Sequence, residues 1–262
     1  MITDVELGDA VEKEMTVLFT DIRGYTTISE KMNPEENFRF LNYILKDIGP
    51  IIRSNHGVID KFIGDAIMAL FPGKPEDAVK SAIEISSQLK ILNEKLKEQK
   101  YPPIEIGIGI NTGKVILGTV GEIERMEATV ISDTVNLASR IESLTKYYHC
   151  EILIGEDSVK NLKHFDLRLV DKVIVKGKKN PILLYQVFSE QRKITITQTK
   201  DFETAQELFQ KKKFKKAKTI FQKLYKINPD DQLVKMYLER CENFIINPPP
   251  KTWSGTNEME VK

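Results

Sequence analysis

Cysteine, histidine and tryptophan are all scarce in this chain of 262 residues. Its two cysteines, Cys150 and Cys241, are too few and too far apart for a disulfide framework or a thiolate metal site, and they read as reduced structural thiols. The three histidines, His56, His149 and His164, are scattered, which excludes a histidine-rich metal cluster and leaves structural or surface roles. No apolar run approaches the ~20 residues of a membrane span, and the first residues are acidic rather than signal-like. A cytoplasmic location without membrane contact is therefore expected. Excess charge is missing too. The 39 Lys and Arg against 38 Asp and Glu leave +1, so no global pull toward nucleic acid exists. With 41% hydrophobic and 29% charged residues, the chain has the composition of a globular protein with one sizeable domain and a small one.

What is present concentrates in two stretches. In LFTDIRGYT (18–26) an apolar run ends abruptly in Thr20 and Asp21, as a buried strand would if it delivered one carboxylate to its C-terminal tip. In FIGDAIMALF (62–71), Gly64 and Asp65 interrupt a second apolar run, which reads as a β-hairpin with Gly-Asp at its turn. Two Asp residues on strand ends suit a hard divalent cation, which prefers oxygen ligands and shares them with a substrate's phosphates.

The remaining pattern gives the architecture. A first strand is expected over 15–20, after a polar connector at 1–14. Asn33 and Pro34 start a helix whose stripe is Phe38, Leu41, Leu45, Ile48 and Ile52, with Gly49-Pro50 as a kink. Ala78, Ala82, Ile85, Leu89, Leu92 and Leu96 stripe a second helix, and Leu137, Ile141, Leu144 and Tyr148 a third. Strands at 104–110 and 115–120 are expected to join through a tight turn at Asn111-Thr112-Gly113. Shorter strands at 151–154, 167–175 and 183–188 follow, the last two bracketing the loop KGKKN. Helices set against hairpins predict an α+β sandwich with one face of a mostly antiparallel sheet covered. After a polar linker at 190–200, residues 201–245 read as helical and 246–262 as a Pro-rich extended tail.

Five segments occur in an order that resembles the class III nucleotidyl cyclase catalytic domain: LFTDIRGYT, DKFIGDAIMALF, GIGINTGKVILGTVG, TVISDTVNLASRIESLT and VIVKGKKNPILLYQV, spanning about residues 15–188. The resemblance implies a ferredoxin-like βαββαβ core with extra β elements, a head-to-tail homodimer, and active sites shared between two subunits. It implies that Asp21, Asp65 and the Ile22 backbone carbonyl hold two Mg²⁺ (or Mn²⁺) per site. One ion would acidify the ribose 3′-hydroxyl and the other neutralise departing pyrophosphate. Lys61 and Thr129 take the positions that read the purine, and that pair implies ATP. A Lys donor facing guanine would meet the N1–H donor and leave buried polar groups unpaired.

By the same resemblance, Asn136 orients the ribose, Arg140 stabilises charge on the α-phosphate, and Lys176 and Arg125 reach the phosphates. Asn136 and Arg140 lie four apart and so share one helix face, and a guanidinium's planar fork suits a phosphoryl group. No side chain stands out as general base. Two residues depart from the family pattern beside the purine pocket: Ser132, where Gly is usual, and Ala128, where an aromatic is usual. The implied activity is adenylate cyclase, ATP to 3′,5′-cyclic AMP and pyrophosphate. A guanylate cyclase of the same fold, and a non-catalytic nucleotide-binding or dimerisation module, are the alternatives. The helical region has the small-large spacing of a tetratricopeptide-like pair (Ala205, Leu208, Phe214, Ala217, Phe221, Leu224). One repeat cannot bury its own apolar face, so it is expected to pack on the catalytic core, the other subunit or a partner. The run KKKFKKAK (211–218) reads as a solvated helix turn rather than a nucleic-acid patch. The connector implies an upstream sensor.

Overall fold

A computed structural model describes residues 10–122, 125–160, 162–178, 180–189 and 195–259. The sheet is built on β1 (Ala10–Ile22), which lies between β3 (Ala66–Phe71) and β4 (Ile106–Glu122), antiparallel to both. β2 (Val58–Ile63) closes one edge against β3. Beyond β4 come β6 (Ile152–Gly155), β8 (Ile182–Val187), β7 (Leu167–Val175) and β9 (Asn257–Met259), while β5 (Arg125–Ile131) pairs with the far half of β4. Pairing is antiparallel except at β4–β6 and β7–β9.

Successive side chains of β1 point to opposite faces, and the core divides accordingly. Leu18 and Ile22 join a cluster with Phe40, Ile44, Ile48 and Ile52 of α2 (Pro34–Ser54) and Ala78, Ala82, Ile85, Leu92 and Leu96 of α3 (Pro75–Glu98). Met15, Val17 and Phe19 face the other way, toward Met68, Val115, Val130 and Ala138 of α4 (Asp133–Tyr147). The α+β class holds, but helices cover both faces, not one. Gly109 explains how α4 comes so close. A Cβ there would lie 2.1 Å from the Glu142 backbone nitrogen and 2.6 Å from the Ala138 carbonyl oxygen. Short helices α1 (Tyr25–Ser29) and α5 (Glu156–Val159) complete this part.

Several expectations need correction. The first strand begins at Ala10, inside the expected connector. Residues 10–14 carry no apolar alternation because their side chains are exposed, yet they pair with β4, and Glu12 accepts a bond from Lys114 at 2.6 Å. The tight turn at Asn111-Thr112-Gly113 does not exist. These residues run through the middle of β4 opposite Val17, Thr16 and Met15. Thr112 is satisfied there by Thr16 (2.8 Å) and Ser158 (2.9 Å), so its polarity signals a buried hydroxyl chain, not a turn. The hairpin partner of β4 is β5, a strand that the sequence pattern does not announce. In α2 the buried stripe is Phe40, Ile44, Ile48 and Ile52. Phe38 is 71% exposed, and the helix runs on through Pro50.

Ser132 is not a strained substitute for glycine. It sits in extended backbone as the N-cap of α4, its hydroxyl accepting from Val135 N at 3.0 Å. Ser132→Ala is expected to lower stability by about 1 kcal/mol and Ser132→Gly by a few tenths, as urea unfolding would report.

The C-terminal helices α6 (Ile196–Gln210), α7 (Phe214–Ile227) and α8 (Gln232–Ile246) pack on the catalytic core, one of the expected places. Phe202, Phe209, Phe221 and Tyr237 share one cluster with Leu137, Ile141, Leu144 and Tyr148 of α4 and Val170, Val173 and Val175 of β7. The helices' apolar faces are thus completed by the catalytic sheet rather than by stacked repeats. Arg168, 2% exposed, is the polar pin of this junction. Its guanidinium lies over Phe188 and Phe202 and bonds Asp231 (2.5 Å) and Gln186 (2.7 Å). In the Lys-rich run, Phe214 and Ala217 are buried while Lys211, Lys212, Lys213, Lys215 and Lys216 are exposed, as a solvated turn requires. Within the Pro-rich tail, Asn257–Met259 returns to the sheet as β9. No helix among the described residues is long and apolar enough to cross a membrane.

Candidate active site

Asp21 ends the buried part of β1, and Asp65 sits in the β2–β3 turn beside Gly64, whose φ of +62° the turn requires. The structure brings them together. Asp65 Oδ2 accepts from the Ile22 backbone nitrogen at 3.2 Å, which sets its carboxyl close to that of Asp21. Burial, then the Asp21 hydrogen bond and charge, push Asp65 up to about 7. Two carboxylates this close do not both ionise freely at neutral pH. Two carboxylates beside the Ile22 backbone make an oxygen-only donor set, which fits a hard divalent cation. Among the described residues no group of three or more His, Cys, Asp or Glu could hold a metal.

The raised value has a sign. Asp65 favours the folded state when protonated, so its contribution is full below about pH 4 and is lost as the pH rises through about 7. A cation must displace that proton. Mn²⁺ affinity is expected to fall up to about tenfold per pH unit below 7, and Mn²⁺ should raise Tm more at pH 8 than at pH 6. Calorimetric titration at the two pH values checks both.

A third carboxylate near this pair escaped the sequence reading. Glu142, two residues after Arg140 on α4, is pushed up to about 7 by burial and then by the Asp21 charge, with the Arg23 guanidinium opposing. A Cβ on Gly107, the strand partner of Asp21, would lie 2.7 Å from Glu142 Oε1, so the carboxyl lies against β4 close behind Asp21. The signal was a Glu between Ile141 and Leu144 on the sheet-facing side of the helix.

Lys61 and Thr129 meet. Lys61 Nζ donates to Thr129 Oγ1 at 3.1 Å and lies 3.3 Å from the Asp60 carboxylate. The β2–β3 register shifts between Ile59 and Lys61. Such a bulge re-aims a side chain, and here it accompanies the reach of Lys61 from an edge strand to β5. On α4, Asn136 is exposed and Arg140 half-buried, both off the Leu137–Ile141–Leu144 stripe. The loop after β7 lies alongside Arg140: a Cβ on Gly177 would stand 3.7 Å from its Nη2. Lys178 in that loop is ion-paired with Asp133 at the start of α4, and Lys176 is exposed. Arg125 lies in β5, not in a loop, and its side chain, like that of Ala128, falls outside the described residues.

Comparison with known proteins gives this arrangement a class. The model of the family described as the adenylate and guanylate cyclase catalytic domain matches residues 9–189. The chain belongs to this family. It is 49% identical over 195 residues to an adenylate cyclase of Anabaena cylindrica, covering 71% of this chain and 39% of that protein. It is 38% identical over 251 residues to the terminal-differentiation-specific adenylate cyclase of Dictyostelium discoideum, covering 91% of this chain and 12% of that one. The second match reaches well past residue 189 into the C-terminal helices. Among solved structures, the adenylyl cyclase CyaB from P. aeruginosa aligns with a TM-score of 0.62 at 34% identity, over 71% of this chain and all of that one. The chain thus spans well under half the length of the curated relatives it matches.

Proposed function

We propose that this chain is an adenylate cyclase that converts ATP to 3′,5′-cyclic AMP and pyrophosphate. The ribose 3′-oxygen attacks the α-phosphorus in line. A new O–P bond forms, the 3′-hydroxyl gives up its proton to water or a substrate phosphate oxygen, the bond from the α-phosphorus to the bridging oxygen of the β-phosphate breaks, and pyrophosphate carries the electron pair away. The observation that carries the reading is the Lys61–Thr129 pair at 3.1 Å. Its ammonium can donate to adenine N1, and the threonine oxygen can accept from the 6-amino group. Guanine presents a donor at N1 and an acceptor at C6, so both contacts fail.

Asp21, Asp65 and the Ile22 carbonyl would hold two Mg²⁺ or Mn²⁺ ions. Bound there, the cations supply charge that acidifies the 3′-hydroxyl and offsets the leaving pyrophosphate. Asn136 orients the ribose. Arg140 supplies a planar donor fork to the α-phosphate as charge builds, and Lys176 and Arg125 hold the outer phosphates. The reading places two such sites at a head-to-tail homodimer interface. Its support is exposed apolar surface around the base-reading pair: Phe62 (51%) and Ile63 (51%) on β2, Ile116 (47%) and Val120 (51%) on β4, and Ile131 (58%) on β5. An upstream sensor and a cytoplasmic location belong to the same proposal.

The test is product identification. Purified protein incubated with Mn²⁺ and either ATP or GTP is expected to yield cyclic AMP from ATP. Cyclic GMP formed from GTP in preference would transfer the reading to guanylate cyclase, and no product with any divalent cation would leave a non-catalytic module.

A further inference from the structure

The C-terminal extension grips the two elements that carry the ribose- and phosphate-binding residues. The contact centres on Asp171 of β7, 2% exposed. Its Oδ2 accepts from Tyr148 Oη at the end of α4 (2.8 Å), Arg240 Nη1 of α8 (3.0 Å) and Asn257 Nδ2 of β9 (2.8 Å). Its Oδ1 accepts from the Lys172 backbone nitrogen at 2.8 Å. A buried carboxylate satisfied this fully is held firmly, and its partners are held with it.

Arg240 makes a second hold on the same helix end. Its Nη2 donates to Tyr147 Oη at 2.9 Å, and its guanidinium lies 5.6 Å from the Tyr147 ring centroid and 5.8 Å from that of Tyr148. Tyr147 is seven residues after Arg140. At 100° per residue the two lie within about 20° of one line along the helix, roughly 10 Å apart. Meanwhile β9 pairs with β7 at Val173, Ile174 and Val175, up to the residue before Lys176. Met259 is buried in the shared core beside them. An α-helix is stiff along its axis, so a shift where Arg240 holds it is passed to Arg140 and Asn136. A shift of β7 is likewise passed to the loop that flanks Arg140.

We propose that Arg240 and Asn257, acting through Asp171, are positioning residues for the cyclase reaction. They fix the alignment of Asn136 and Arg140 with Lys176, while Asp21 and Asp65 sit on β1 and in the β2–β3 turn, which none of these bonds touches. This rests on the proposed assignment of Asn136, Arg140 and Lys176 to ribose and phosphate.

The test uses the full chain with Arg240→Gln, Arg240→Lys and the milder edge-strand change Asn257→Ala. For Arg240→Gln, kcat is expected to fall on the order of 10²-fold, the scale of a small misplacement far from the reacting atoms. KM for ATP should change far less than kcat, because the base contacts at Lys61 and Thr129 are left in place. Mn²⁺ affinity, measured calorimetrically without nucleotide, should not change. Arg240→Lys should recover part of kcat by keeping the charge on Asp171, and Asn257→Ala should lose roughly tenfold. Amide hydrogen exchange over residues 141–148 should quicken in each impaired variant. Folded variants with unchanged kcat would overturn the proposal, as would a parallel loss of Mn²⁺ affinity, which marks general loosening. If the unmodified chain makes no cyclic nucleotide, the assigned function fails separately. Unchanged exchange over 141–148 would then overturn the positioning role, and faster exchange would uphold the hold on α4.

Discussion

Asp21→Ala and Arg140→Ala chains, each nearly inactive alone, are expected to regain about a quarter of unmodified activity when mixed and allowed to exchange subunits. Each single change should cost on the order of 10³-fold or more, since each removes charge stabilisation from the transition state. In the proposed head-to-tail dimer each site takes its carboxylates from one chain and its arginine from the other. Random exchange makes half the dimers mixed. In a mixed dimer one site collects both lesions and the other none. A cyclic AMP assay before and after exchange reads the recovery, with fluorescence transfer confirming that exchange took place. Exchange without recovery would rule out a shared site.

The second large effect is expected at the base. Lys61→Glu with Thr129→Cys should lower the ATP-to-GTP preference by on the order of 10²-fold or more, because the site would then accept from guanine N1–H instead of donating to adenine N1. Lys61→Glu alone should be poorer with either nucleotide. It leaves the introduced carboxylate beside Asp60, whose present neighbour at 3.3 Å is the Lys61 ammonium. Competition between ATP and GTP, with both products separated by chromatography, measures the change. A preference unmoved in the double variant would show that Lys61 and Thr129 do not read the purine.

The strand-end carboxylates were legible because a charged residue that breaks an apolar run has few structural explanations. Gly64 beside Asp65 marked the turn, and the Leu137–Ile141–Leu144 stripe set the orientation of α4. Other features were hidden for physical reasons. Asn111, Thr112 and Gly113 are turn-forming residues by type, yet β4 runs through them because Thr16 and Ser158 supply the hydrogen bonds that a turn would otherwise provide. β5 reads RMEATVI, with too little alternation to announce a strand, and is held by its ladder to β4. In α2, Phe38 and Phe40 fit equally plausible stripes, and only the sheet decides between them. Asp171 and Arg240 could not be paired from sequence at all. They lie 69 positions apart, and each looks like an ordinary surface charge until burial joins them.

The shared core of α4, β7 and the C-terminal helices bears on when the protein becomes functional during synthesis. The first core closes with Val187, so it can condense as soon as that residue leaves the ribosome. The second includes Leu137 and Met259 and stays open until the last helices and β9 have emerged. At roughly 5–20 residues per second that gap lasts several seconds. Through it, the nascent chain carries the Asp21–Asp65 pair in place and an uncovered apolar surface on α4 and β7. A slow codon between these two points would extend the period in which the chain depends on chaperones.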